Sequence, residues 1–373
     1  MKMTPLAVRM VLPLVTALLA GFAGRAAAQT NLKDSFQNDF PIGVAISLNQ
    51  IYEVDHRGTP LIKTQFNSIS PENVLKWESI HPLPDRFDFE APDRYVAFGE
   101  SNHMIIVGHT LVWHSQTPRW VFQDATGKPL NRDALLNRMS NHIHTVVGRY
   151  KGRIKIWDVV NEALYDNGTM CQSPWFKIIG EDYIEKAFQF AHEADPDAVL
   201  RYNDYSLENT NKLRGAIRLI KNLQARGVPV TAIGLQDHVK MDWPTPEQED
   251  ATIEAFAHLG LKVMITELDV DVLSARGQNR SADIQETARQ TGPNLYSSGL
   301  PASVQQALAK RYADLFKVYI RHRDVIKLVT FWGVTDGDSW LNRPGRVNYP
   351  LLFDREGQPK PAFEAVIRTA TQN

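Results

Sequence analysis

The sequence predicts an α/β protein folded as a single (β/α)8 TIM barrel, and three observations carry that expectation. Eight short apolar runs recur at intervals of a few dozen residues, segments of helical periodicity separate them, and no Pro-rich linker, repeat or charge block divides the chain. Strands that alternate with helices imply parallel pairing through right-handed crossovers, and eight such strands close a sheet on itself.

In chain order the runs are PIGVAIS from residue 41, FNSIS from 66, MIIVGHTLVWH from 104, IKIWDVV from 154, AVLRYNDY from 198, VTAIGLQ from 230, KVMITELDV from 262 and KLVTFWGV from 327. Between them RDALLNRMSNHIHTVVGRY, YIEKAFQFAHEA, KLRGAIRLIKNLQARG and PASVQQALAKRYADLFKVYIRH return apolar residues at spacings of three and four, as a helix with one buried face does. The barrel spans about residue 33 to about residue 370. The longest irregular stretch, Ser274 to Gly299, reads as a surface loop with a short helix of its own.

Ahead of the barrel, MKMTPLAVRM is basic, VLPLVTALLAGFAG is apolar but short, and Ala26 and Ala28 supply the small-x-small pattern of a cleavage site. Residues 1 to 28 therefore read as a cleaved signal peptide, with residues 29 to 373 as the catalytic domain and a secreted location, extracellular or periplasmic. No other stretch is long and apolar enough to span a bilayer.

Of the 373 residues 43% are hydrophobic and 22% charged, and the formal net charge of -1 leaves no basic field to hold nucleic acid or an anionic membrane. A neutral partner fits better, and the chain is expected to act as a monomer. Cys171 is the only cysteine, which excludes an intrachain disulfide, and CQSPW gives it no basic neighbour that would make it reactive.

In such barrels, chemistry sits at the C-terminal ends of the strands. Those ends carry Glu72, Asn73, Lys76 and Trp77; His109, Trp113 and His114; Asn161 and Glu162; Asn203 and Asp204; Gln236 and His238; Glu267 and Asp269; and Trp332, Asp336 and Trp340. The run WDVVNEAL raises a question of cost, because Asp158 and Glu162 are carboxylates in or at the end of a buried strand. Glu267 closes ITELDV three strands further round, so Glu162 and Glu267 can face each other across the barrel mouth. Two carboxylates flanking a cleft, with no metal-ligand set and no cofactor motif, are what glycosidic bond cleavage requires.

Each residue alone has a duller reading: a strand-end carboxylate capping a loop, a Trp filling core, a satisfied structural histidine. Their co-occurrence at eight strand ends makes the dull account improbable. Together WDVVNEA, ITELDV, GHTLVWHSQTPRW, FNSISPEN, YNDY, GLQDH and TFWGVTDGDSWL resemble the family 10 glycoside hydrolases, endo-1,4-β-xylanases, over essentially the whole mature chain.

That resemblance implies a retaining reaction on xylan and xylo-oligosaccharides, with Glu162 as general acid/base and Glu267 as nucleophile. It places Asn161 on the 2-hydroxyl of the sugar at the cleaved position and His238 beside the nucleophile, with Asp269, on the same face of the strand as Glu267, positioned to orient it. Glu72, Asn73, Lys76, His109, Trp113, Trp332 and Trp340 resemble the residues that grip the sugars, and Gln236 completes the hydrogen-bonding ring. Retention needs carboxyl groups about 5 to 5.5 Å apart, too close for both to ionise cheaply. Glu267 should therefore hold the charge and Glu162 its proton.

Asp237 departs from the family pattern, standing where a small residue is common; an extra carboxylate there could raise the pKa of His238 or form a polar contact to substrate, and the sequence leaves its effect open. Three rivals compete with the main reading. A catalytically silent sugar-binding barrel should lack one of the two acids, and both are present. A metal-dependent hydrolase using His109, His114 and His238 lacks an HxH after the first strand. A cellulase or mixed β-glycanase differs only in the shape of the pocket.

Overall fold

In the computed structural model, which describes residues 31–273 and 294–371, all eight predicted strands form and pair in parallel. They are β1 (Ile42–Ile46), β2 (Ser68–Pro71), β3 (Ile105–Gly108), β4 (Ile156–Asn161), β5 (Val199–Asp204), β6 (Ala232–Leu235), β7 (Lys262–Asp271) and β8 (Ile326–Phe331). Each pairs with its neighbour in sequence, and β8 pairs with β1, so the sheet closes. Beyond β6, the three-residue extension His238–Lys240 adds a second contact with β7. The expected leader, residues 1–28, and residues 274–293 of the expected loop lie outside the described residues; residues 295–298 form a turn.

The helices read from periodicity appear at Arg132–Arg149, Tyr183–Ala194, Thr210–Ala225 and Ala302–Arg321. Local chemistry fixes several starts. Asn131 accepts from the Ala134 amide at 2.9 Å, and Thr245 and Gln248 form a capping box ahead of Pro246 at the first position of Pro246–Ala257. Among the described residues no helix is long and apolar enough to cross a membrane.

The main core fills the space between sheet and helices. A smaller cluster, Val107, Ile156, Ala232, Met264 and Leu328, plugs the inside of the barrel, so the barrel is packed and substrate can approach only the mouth. Above that plug lies a polar layer. Arg201 donates to both oxygens of Asp158 at 2.6 and 2.9 Å, and Asp158 Oδ2 lies 2.9 Å from His109 Nδ1, with Arg201 and Asp158 each 1% exposed. Buried charge is tolerable only when paired in this way. The burial of Asp158 in WDVVNEAL is thereby explained.

Candidate active site

One cleft at the C-terminal end of the barrel, about 270 Å³ in volume, gathers every residue given a role by the family resemblance except Asp269, whereas Trp77, His114, Asn203, Asp204 and Asp336 do not line it. It is lined by Glu72, Asn73, Lys76, His109, Trp113, Asn161, Glu162, Gln236, His238, Glu267, Trp332 and Trp340, with Gln116 added. Asp269 does not line it. That carboxylate stands behind His238, with Oδ2 3.1 Å from His238 Nδ1 and accepting from Trp340 Nε1 at 2.7 Å.

A register shift between Asp158 and Val160 brings Asn161 to the mouth. Strict alternation from Asp158 would turn Val160 inward, but the bulge pairs Asn161 with Asn203, whose side chain faces the barrel interior. Glu162 follows at φ 57°, in the left-handed region that a non-glycine residue seldom adopts. Opposite, Gly234 leaves room for Asn203, since a Cβ there would meet Asn203 Oδ1 at 2.2 Å.

The two acids have different surroundings. Glu162, 8% exposed, accepts from Trp113 Nε1 at 2.8 Å, Gln236 Nε2 at 3.0 Å and Asn161 Nδ2 at 3.2 Å. Burial holds its pKa above the ordinary glutamate range, reinforced by the charges of Asp204 and Glu267 and only partly offset by His114 and the Gln236 hydrogen bond. Glu267, 5% exposed, accepts from Asn203 Nδ2 at 2.8 Å and lies 3.2 Å from His238 Nε2. Burial opposes its charge, yet the His238 hydrogen bond and the charges of His109 and His238 override that cost and lower the pKa.

His238 is the reason. Burial alone would discharge it, but the charge of Asp269 on one side and Glu267 on the other raise it to about 10. It is therefore an imidazolium at neutral pH, with both ring nitrogens available as donors.

Away from the acids, Lys76 donates to Asn73 Oδ1 at 3.1 Å and Gln116 Oε1 at 2.8 Å, while Gln116 Nε2 also donates to Asn73 at 3.2 Å. Lys76 Nζ sits 5.1 Å from the Trp113 ring centre. Trp332 lies edge-on to His109 and His238, and Trp340 packs 4.8 Å from the His238 ring. Aromatic faces beside fixed polar groups suit the alternating apolar and hydroxylated surfaces of a sugar ring.

The structure settles the question the sequence left open for Asp237. Its φ of 54° turns the side chain away from the cleft, where Oδ2 accepts from Tyr319 at 2.6 Å, and it is not among the groups that raise His238. Gln116 and the Asn203 bridge between Asn161 and Glu267 were not assigned from sequence. Asn203 stood among the strand-end polar residues, and Gln116 lies three residues after Trp113 in the same loop.

Comparison with known proteins agrees with this geometry. A model of the family described as glycosyl hydrolase family 10 matches residues 31–369. An endo-1,4-β-xylanase A from Xylanibacter ruminicola is 43% identical over 355 residues, covering 94% of this chain and 96% of that protein. A β-1,4-xylanase from Dictyoglomus thermophilum is 41% identical over 91% of this chain and 90% of its own length. The structure of a GH10 endoxylanase retrieved from a sugarcane soil metagenome superposes with a TM-score of 0.84 at 44% identity, covering 92% of this chain and all (100%) of that one.

Proposed function

Because the chain belongs to glycosyl hydrolase family 10, we propose that it is an endo-1,4-β-xylanase, cleaving internal β-1,4 xylosidic bonds of xylan and xylo-oligosaccharides with retention of configuration. The observation that carries this reading is the opposite tuning of two carboxyl groups in one cleft, with the pKa of Glu267 lowered and that of Glu162 raised.

In the first step the Glu267 carboxylate attacks the anomeric carbon while Glu162 gives its proton to the departing glycosidic oxygen, leaving a covalent glycosyl-enzyme and a shortened chain. In the second, Glu162, now ionised, takes a proton from water as the water oxygen displaces Glu267. The sugar leaves with its original configuration and Glu162 is protonated again. Asn161 serves as the hydrogen-bonding group for the 2-hydroxyl, while Asp269 and His238 keep the nucleophile oriented and ionised. Glu72, Asn73, Lys76, His109, Trp113, Gln236, Trp332 and Trp340 hold the sugars. Export by the basic and apolar leader, and action as a monomer on an insoluble polymer, complete the proposal.

The leaving group supplies the test. Glu162→Ala should nearly abolish hydrolysis of xylan, whose leaving alcohol needs a proton, but spare glycosylation by an aryl xylobioside with an acidic phenol. The intermediate should then accumulate, and azide, which needs no general base, should restore turnover on the aryl substrate alone. Equal losses on both substrates with no azide effect would remove Glu162 from the acid/base role.

A further inference from the structure

Behind the strand ends, on the side of Asp237 that faces away from the cleft, a second group of acids has no part in the reaction above. Glu208 follows β5, Asp237 follows β6, and Glu249 stands on the helix Pro246–Ala257. Their exposures are 5%, 2% and 0%, and one carboxylate oxygen from each lies within 4.8 Å of the other two. Tyr319 donates to Asp237 Oδ2, but Glu208 Oε1, Asp237 Oδ1 and both oxygens of Glu249 are buried with no fixed donor, and the acids can be hydrogen-bonded to one another only through a proton.

The nearby cations do not meet that need. Arg311 donates Nε to the Lys240 carbonyl at 3.0 Å and Nη2 to the Pro244 carbonyl at 2.7 Å, so it contributes charge without capping the acids. Lys212 is committed to Asp204 at 2.9 Å. Three buried carboxylates converging with Tyr319 as their one side-chain donor need protons or a cation between them.

We infer that Glu208, Asp237 and Glu249 form a calcium-binding site inside the protein. The charges balance: three carboxylates are neutralised by Arg311 together with one divalent ion. Every donor is a hard carboxylate oxygen, with no imidazole or thiolate in the set, which favours calcium over zinc or copper. The ion ties the turns after β5 and β6 to the helix Pro246–Ala257, immediately behind His238.

Protons are the competing occupants of the same gap. Burial, aided by the charge of Asp237, pushes Glu208 up to about 8, and burial pushes Glu249 well above the ordinary range, so protons compete with a metal for these oxygens. The two occupants are separated by metal content and by an isosteric amide. After desalting from calcium-containing buffer, the purified full chain should carry one calcium per molecule by elemental analysis. EDTA should remove it and lower Tm on the order of 5 °C, and added calcium should restore both. Glu249→Gln should bind no calcium and show no Tm response to EDTA or to calcium. A wild-type chain with no bound calcium and a Tm indifferent to chelation would overturn the site, whether or not the variant folds. So would Glu249→Gln matching or exceeding the wild-type Tm in calcium, the result expected if a shared proton bridges the acids.

Discussion

Glu162 and Glu267 share a cleft yet have their pKa values shifted in opposite directions, and under the proposed mechanism that opposition sets the pH dependence of the reaction. kcat/KM should rise as Glu267 loses its proton, below the ordinary glutamate value of 4.5, and fall as Glu162 loses its proton, above it. His238, titrating near 10, does not confuse the second limb until strongly alkaline pH. On an activated aryl substrate, Glu162→Gln should keep the acid limb and lose the alkaline one; a surviving alkaline limb would belong to another group. The carboxylates themselves were legible in the sequence because each closes an apolar run. Their environments were not. Asn203 and His238 reach Glu267 from other strands, and Arg201, the partner that makes buried Asp158 affordable, lies 43 residues away in sequence.

Elements bring these residues together through geometry finer than the pattern of apolar residues. The shift in β4 that pairs Asn161 with Asn203 inserts one residue, and a periodicity of two cannot reveal an insertion inside a uniformly apolar run. The helix Arg132–Arg149 is a clearer case, since its cap and its stripe are both local. Its tertiary attachment adds an imidazole pair to that apolar face: His142 stacks on Trp77 with ring centres 3.7 Å apart, and its Nδ1 lies 3.2 Å from Nδ1 of His81. Burial lowers the pKa of both, and the charge of His81 lowers that of His142 further. A histidine depressed in the folded state is neutral there and protonates first in the unfolded chain. Stability is thus fully present above about pH 6.5 and declines as pH falls below it, by at most about 1.4 kcal/mol per pH unit for His142. Chemical denaturation of His142→Phe, which keeps the stack but cannot protonate, should show a flatter decline between about pH 6.5 and 5 than the parent; equal slopes would place the acid sensitivity elsewhere.

For the molecule as a whole, the leader predicts that full-length expression in a secreting host yields a product outside the cytoplasm whose N-terminal sequence begins at Gln29. Recovery of chain that retains residues 1 to 28 would reject cleavage. The sequence by itself determined the barrel, the identity of the two central acids and most of the cleft lining, because strand and helix periods are local and a closed parallel barrel delivers every strand's C-terminal end to one mouth. Only the tertiary structure decided which groups each side chain meets. It turned Asp237 away from the cleft toward Glu208, Glu249 and Tyr319, and Asp269 onto His238. It also set the direction in which each central acid's pKa is shifted. Backbone sign at a single residue, register within a strand and the burial of one charge beside another depend on contacts between segments far apart in the chain, and no local pattern of residue types encodes them.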